Sequence, residues 1–527
     1  MPAAQALVPT SRASRYLAQL CSHSSQMSRA ASHRPRRHSD GGAPPAAHTS
    51  QTGADGVIDF GWGRCTLHAT SEALTLHAEA GDQQQLQQIQ DGLTARLERI
   101  GRRDQLSLSW TQTPPGTGPD ARAGEHDTAA AIMNALMTPA GQADPYPLYA
   151  KAHQAGPVSA IADGWFLVCG YAAASQVLRD PGFGLPDPAG LGPGDGALGS
   201  LSRSILRANP PDHPRMRSLI SQVFTPRRVS ALRPAIENAV DALLSQLAAT
   251  GAGRRPVDFM DQFAFQLPVT VICELLGVPA ADRDRFRPLA ADLTEALELT
   301  ADSSTSSPAA TAARELGGYF TALISARRSA PRDDLIGALV AARDAGDGRL
   351  SDEELLANLI VLLVAGFETT TNLLGNGLAI LFDHPDIAAG LRRGTLEVPG
   401  FVEEVLRYDA PVQAVTRIAR GGNLTAGGLP IPQGSQVIVL IGAANRDPER
   451  YPDPDRFDPA RSDIKPLSFG AGPHICIGNA LARLEAAVAF PWLLTRFPAL
   501  SAAPGERPAR RNRVILRGYE TLPITVT

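Results

Sequence analysis

Phe469-Gly-Ala-Gly-Pro-His-Ile-Cys-Ile-Gly478 sets three glycines and a proline around a single cysteine. The run that follows, Asn479-Ala-Leu-Ala-Arg-Leu-Glu-Ala-Ala-Val-Ala-Phe490, is built largely of strong helix formers. Cys476 is therefore predicted in a tight turn just before a helix N-terminus. A thiolate at that place gains from the positive end of the helix dipole and from neighbouring backbone amides. Gly470, Gly472 and Gly478 let the chain turn sharply and let a flat ligand approach the backbone. An isolated cysteine after a glycine-rich turn reads as a buried free thiol. The complete spacing FGxGxHxCxG argues for a ligand instead.

Working outward, other motifs fall in a consistent order. A helix-period run from Glu353 to Ile380 carries Ala365-Gly-Phe-Glu-Thr-Thr370. An acid and two threonines on a largely apolar helix are costly unless they meet water or a ligand. Gly366 removes bulk there and permits local distortion. His213-Pro-Arg-Met-Arg217 puts His213 and Arg217 on one helix face, and Arg215 on its surface side. Arg417 follows Pro411-Val-Gln-Ala-Val-Thr416, and Glu404-Val-Leu-Arg407 sets opposite charges one helical turn apart. Ala444-Asn-Arg-Asp-Pro448 and Pro454-Asp-Arg-Phe457 lie between these and the cysteine.

Together these motifs make residues 132–527 resemble the cytochrome P450 superfamily, in its soluble bacterial type. The resemblance implies a mainly α fold with small β-sheets. It implies heme b (iron protoporphyrin IX) as cofactor, with Cys476 as the iron ligand. Such a thiolate pushes electron density onto iron and favours O–O cleavage. His213, Arg217, Arg417 and His474 match the residues that bind the heme propionates. Glu368 and Thr369 match the acid–alcohol pair that delivers protons during dioxygen activation. Glu404 and Arg407, completed by Arg456, match a buried pair that supports the heme core. The substrate pocket would be lined by the loop at about 181–210, the helical pair at about 280–320, Phe367, and Gln413 to Val415. Phe367 and Val415 favour an apolar substrate; Gln413 would orient a polar group. The chain of serines and threonine at 303–307 reads as a flexible connection.

The remainder of the chain is a different kind of sequence. Residues 1–110 read as a small α+β domain, and 111–131 as a Pro/Gly-rich linker. Cys65, Leu67 and Ala69, then Leu74, Leu76 and Ala78, alternate as in strands. Leu86, Ile89, Leu93, Leu97 and Ile100 recur at helical spacing, and Leu106, Leu108 and Trp110 suggest a further strand. Residues 30–55, with the basic cluster His33, Arg34, Arg36, Arg37 and His38, read as a solvated loop. The stretch Ser14-Arg-Tyr-Leu-Ala-Gln-Leu-Cys-Ser-His23 with Phe60-Gly-Trp-Gly-Arg-Cys65 resembles a small bacterial domain of uncharacterised function. Cys21 and His23 have no matching ligand pair and read as part of a surface helix.

Composition bounds the function. With 49 basic and 53 acidic side chains, the net charge of −4 gives no surface built for nucleic acid. Five scattered cysteines, without CxxC spacing, fit a reducing cytoplasm better than a disulfide framework. Leu359 to Phe367, the longest apolar stretch, is too short to span a bilayer. The expected activity is that of an oxidoreductase: monooxygenation of a small, largely apolar substrate with O2. No flavin or iron–sulfur segment is recognisable, so electrons are expected from a separate ferredoxin and its NAD(P)H-dependent reductase. A peroxide-using or rearranging heme-thiolate enzyme, and a non-catalytic heme sensor, remain as alternatives. Residues 1–110 would serve as a partner-docking or regulatory module.

Overall fold

A computed structural model describes the chain apart from residues 1, 11, 31–47, 53–54, 61–62, 71–72, 102–103, 105, 107, 114–118, 187–200, 223, 296–297, 299–305, 345–349 and 527. It divides into two units, Met1–Asp127 and Thr128–Thr527.

In the first unit, alternating apolar residues build a six-stranded antiparallel sheet. Its strands are β1 (Ala3–Pro9), β2 (His48–Thr52), β3 (Asp55–Asp59), β4 (Gly63–Ala69), β5 (Ala73–Ala80) and β6 (Trp110–Thr113), in the order β2-β3-β4-β5-β1-β6. Cys65 and Leu67 of β4 and Leu74, Leu76 and Ala78 of β5 point to one face, as period-two patterning requires. Helix α1 (Ala13–Ala30) brings Tyr16, Leu17, Leu20 and Cys21 onto that face. Helix α2 (Gln83–Ile100) adds Leu86, Ile89, Leu93 and Leu97, its first turn capped by Asp82, which accepts from the Gln85 N–H at 2.8 Å.

Three expectations change in this unit. Cys21 is buried in the core rather than on a surface helix. Residues 48–52, within the segment read as loop, form a strand paired with 55–59. Leu106 and Leu108 pack against the core outside any strand, and the strand is Trp110–Thr113. The segment read as a linker, 111–131, is strand at its start and helix from Pro119 onward. The basic cluster at 33–38, linker residues 114–118, and 303–305 of the serine-rich connection lie outside the described residues.

The second unit is mostly helical. Its axis is the 32-residue helix Asp352–Asp383, buried on nearly every side. A reciprocal capping box starts it: the Ser351 hydroxyl accepts from the Glu354 N–H at 3.1 Å, and the Glu354 carboxylate accepts from the Ser351 N–H at 2.8 Å. Arg215 belongs to this end of the helix, donating to Glu354 at 2.5 Å. The unit also holds a five-stranded sheet, ordered Val158–Ala162, Trp165–Val168, Gln436–Leu440, Ala414–Ala419, Phe183–Gly184. The second and third of these strands run parallel; the other neighbours are antiparallel.

Glu404 and Arg407 meet with both side chains fully buried, at 2.7 and 2.8 Å. Arg407 also donates to the main-chain oxygens of Asn445, Pro454 and Arg456. Arg456 does not complete the pair: its side chain is 70% exposed, beside Asp458. The completing cation is Arg461, which donates to Glu404 at 3.1 Å. Only the main chain of residue 456 enters the network, because the turn points its side chain outward.

Removing one partner from a buried pair strands the other charge, which costs about 3–5 kcal/mol. Arg407→Ala is accordingly expected to lower the denaturant midpoint sharply, while Arg456→Ala leaves it within error; equilibrium unfolding of both variants checks the contrast.

Candidate functional site

One cavity gathers most of the residues singled out in the sequence. Its walls include Cys476, His474, His213, Arg217, Arg417, Thr369 and Val415. The volume is about 350 Å³, with lining that is largely aliphatic away from these groups.

Each side chain arrives there for a local reason. Gly470 and Gly472 adopt φ of 68° and 66°, the left-handed region where a side chain is strained. Gly472 also lies so close to the main chain at Leu178 that an added Cβ would sit 2.5 Å from its oxygen. The resulting turn is pinned by the Cys476 N–H, which donates to the Phe469 oxygen at 2.8 Å. Asn479 opens the next helix and donates to the Cys476 oxygen at 2.6 Å. Cys476 is the exposed one of the five free cysteines, and it faces the cavity. Burial pushes its thiol up; the Gly478 N–H, Arg217 and Arg483 act in the other direction.

Val415 and Arg417 are two residues apart on one strand, so they share its cavity face. The Arg417 guanidinium is nearly buried, and its side-chain hydrogen bond among the described residues goes only to the main-chain oxygen of Thr416. Burial pulls its pKa down to about 10. The His213 and His474 rings lie against each other, centroids 3.9 Å apart and planes tilted by 42°. Burial, and the cations around them, push His213 down to about 4 and His474 down to about 3. Arg217 donates to the Ile475 oxygen at 2.7 Å, tying its helix to the cysteine turn.

On the long helix, the cavity stripe is Val361, Leu362, Ala365, Gly366, Thr369, Thr370 and Leu373. This is the spacing of a single helix face. Ala365 is exposed there although its helix neighbours are buried, because it looks into the cavity. Gly366 does not loosen the helix, which runs unbroken; it admits Ile272, whose side chain would lie 2.7 Å from an added Cβ. The Thr369 hydroxyl donates back to the Ala365 oxygen at 3.2 Å.

Three pocket expectations are corrected. Phe367 falls off the stripe, is fully buried, and packs edge-on against Phe265 at 5.3 Å; it is a core residue. Gln413 precedes the strand, and its amide is occupied by the Tyr149 hydroxyl at 2.8 Å and the Ala410 oxygen at 2.7 Å. Neither lines the cavity. Glu368 also sits off the stripe, paired with Arg511 and Arg513. Among the described residues, the helices at 286–295 and 306–329 do not line the cavity either; Leu185, Ile205 and Leu206 from the loop at 181–210 do. Among the cavity residues missed in the sequence, one is polar and charged in the free state. Glu485 is buried, with Oε2 unpartnered and its carboxyl pushed well above the usual range by burial. An acid within the apolar run of the helix after Cys476 is the signal that pointed to it.

A family model described as Cytochrome P450 matches residues 320–518. The cytochrome P450 monooxygenase PikC of Streptomyces venezuelae is 42% identical over 388 residues, covering 72% of this chain and 91% of that protein. The chain belongs to the cytochrome P450 family. The 6-deoxyerythronolide B hydroxylase of Saccharopolyspora erythraea is 40% identical, covering 72% of this chain and 96% of that protein. Among solved structures, P450BioI in complex with an acyl carrier protein carrying hexadec-9Z-enoic acid matches with a TM-score of 0.69. It is 34% identical and covers 73% of this chain and 99% of that one. The first unit matches a model described as an uncharacterized protein conserved in bacteria, over residues 5–111.

The P450 family uses heme b held by a thiolate. The donor set fits that group: a cysteine in a turn open to the cavity, and a buried guanidinium whose partner is a main-chain oxygen. A buried cation is favourable only with an anion or strong acceptors, and heme brings two carboxylates.

A fully packed phenyl ring is worth about 3–5 kcal/mol on truncation. Phe367→Ala is therefore expected to lower stability by that order in chemical denaturation. It leaves the stripe of cavity residues in place.

Proposed function

We propose that this P450 monooxygenase inserts one oxygen atom into a small, largely apolar substrate, with electrons from a separate ferredoxin and its NAD(P)H-dependent reductase. The observation that carries the reading is the shared cavity: Cys476, the four propionate-binding candidates and the Thr369 hydroxyl all line it, and its remaining walls are largely apolar. When bound, heme supplies the iron at which dioxygen is activated.

The chain's own groups would then act as follows. Cys476 ligates through sulfur, its charge steadied by the Gly478 N–H and Arg217. Arg417, Arg217, His213 and His474 offer donors to the propionates. Thr369 would turn its hydroxyl from the Ala365 oxygen into the cavity and hold a proton there. Glu368 would relay protons from the outer side of the helix, held by Arg511 and Arg513. Val361, Leu362, Val412 and Val415 exclude water and favour apolar ligands. The hexadec-9Z-enoic acid carried in one of the similar structures supports a hydrocarbon-rich substrate. The free cysteines support a cytoplasmic setting.

Reconstitution with a surrogate ferredoxin pair and a library of apolar compounds tests the proposal. An NAD(P)H-dependent oxygenated product is expected; none from any compound counts against it. Losing positioned proton transfer costs about 100-fold or more, so Thr369→Ala should suppress NAD(P)H-driven product while sparing peroxide-driven turnover. Equal loss in both assays contradicts its proton role. Cys476→Ser should abolish the thiolate-type carbon monoxide difference spectrum.

A further inference from the structure

The segment 511–517 is fastened in several directions. Val514 and Ile515 donate their N–H groups to Glu298 Oε2 at 2.8 and 2.7 Å, and Leu516 donates to Oε1 at 3.0 Å. Glu298 is 7% exposed, and three successive amides on one carboxylate make a charge-assisted clamp. Burial pushes the Glu298 carboxyl up; the three N–H groups and Arg513 oppose that rise. Arg513 donates to the Thr294 hydroxyl at 3.0 Å and to the Ala291 oxygen at 3.3 Å, which fixes the same region of helix Phe286–Glu295.

The far side of this segment backs the cavity. The Gln413 N–H donates to the Ile515 oxygen at 2.8 Å, and the Arg517 N–H donates to the Pro411 oxygen at 2.8 Å. Val412 and Leu516 form a β-bridge. Pro411 and Val412 are cavity wall, whereas Glu298, Val514, Ile515 and Leu516 are not. The position of that wall thus depends on main-chain bonds to a segment whose three successive amides at 514–516 all go to the Glu298 carboxylate.

We propose that Glu298 is a positioning residue for ligand selection: its carboxylate sets the Pro411–Val412 wall through residues 514–517. This rests on the cavity being the ligand pocket above heme. Glu298 touches no ligand. Its effect is confined to ligands bulky enough to reach the wall.

The test uses heme-loaded full-length protein with two nitrogen ligands, imidazole and 4-phenylimidazole, titrated by the shift of the heme absorption band. Hydrogen exchange of residues 514–516 is followed in parallel. Glu298→Ala is expected to speed exchange at all three amides by about tenfold or more. It should weaken 4-phenylimidazole by about tenfold and imidazole by less than about twofold. Glu298→Gln keeps one acceptor oxygen for Val514 and Ile515, so its exchange should rise chiefly at Leu516; this milder variant also guards against misfolding. In a Val412→Ala background the effect of Glu298→Ala on 4-phenylimidazole should shrink, since both act through one wall. Faster exchange with unchanged 4-phenylimidazole affinity would reduce Glu298 to a structural clamp and overturn the proposal. So would full additivity with Val412→Ala, or equal weakening of both ligands. If wild-type protein shifts with neither probe, the pocket assignment falls, and the proposal with it.

Discussion

A charge pair in a protein interior survives only when its remaining donors and acceptors are also used. Glu404 and Arg407 meet that condition, and the second unit is organised around how they do so. Arg407 collects main-chain oxygens from 445, 454 and 456; Glu404 accepts from the Asp458 N–H and from Arg461. The network does not stop there. Asn445 accepts from the Leu467 N–H and donates to the Ser468 hydroxyl, which in turn donates to the Leu406 oxygen. Leu467 and Ser468 are the last residues before Phe469. An irregular stretch of chain is thus held by side-chain charge and amide groups up to the turn that carries Cys476. A turn entered from a loose loop would not keep a sulfur at one position.

Much of this was legible because several motifs impose backbone geometry. Gly470 and Gly472 sit at positive φ, so their presence reported the turn directly. Strand alternation reported that Val415 and Arg417 share a face. The failures have a common physical origin. Phe367 adjoins the cavity stripe in sequence, but each residue on a helix turns about 100° from the last. Neighbours along the chain therefore face different surroundings. Gln413 lies where strand pairing has not begun, so alternation does not govern it, and its amide is spent on Tyr149 and Ala410. Arg456 was chosen for its charge, yet its main-chain oxygen is the part that matters. Bonds made by backbone atoms carry no residue signature, which is also why the role of residues 514–516 is invisible in the sequence.

In the first unit the hydrophobic pattern predicted β4, β5 and α2 and failed at β2 and β3. His48–Thr52 holds no aliphatic residue, and its pairing with Asp55–Asp59 comes from backbone hydrogen bonds. Polar composition argued for loop there, and sheet extension overrode it.

The helix Asp352–Asp383 is, by length and composition, apolar enough to cross a membrane, though most of that stretch is buried in the fold. During synthesis it emerges before some of the partners that will cover it, the helices Pro385–Arg393, Val398–Tyr408 and Asn479–Arg496. Glu368 then matters in a second way. An acidic side chain near the centre of such a segment costs about 3 kcal/mol to place in lipid. Asn358, Asn372 and Asn376 along the same helix add to that penalty. The polar residues that serve the folded interior thereby disfavour burial of the segment in lipid and favour burial in its own core.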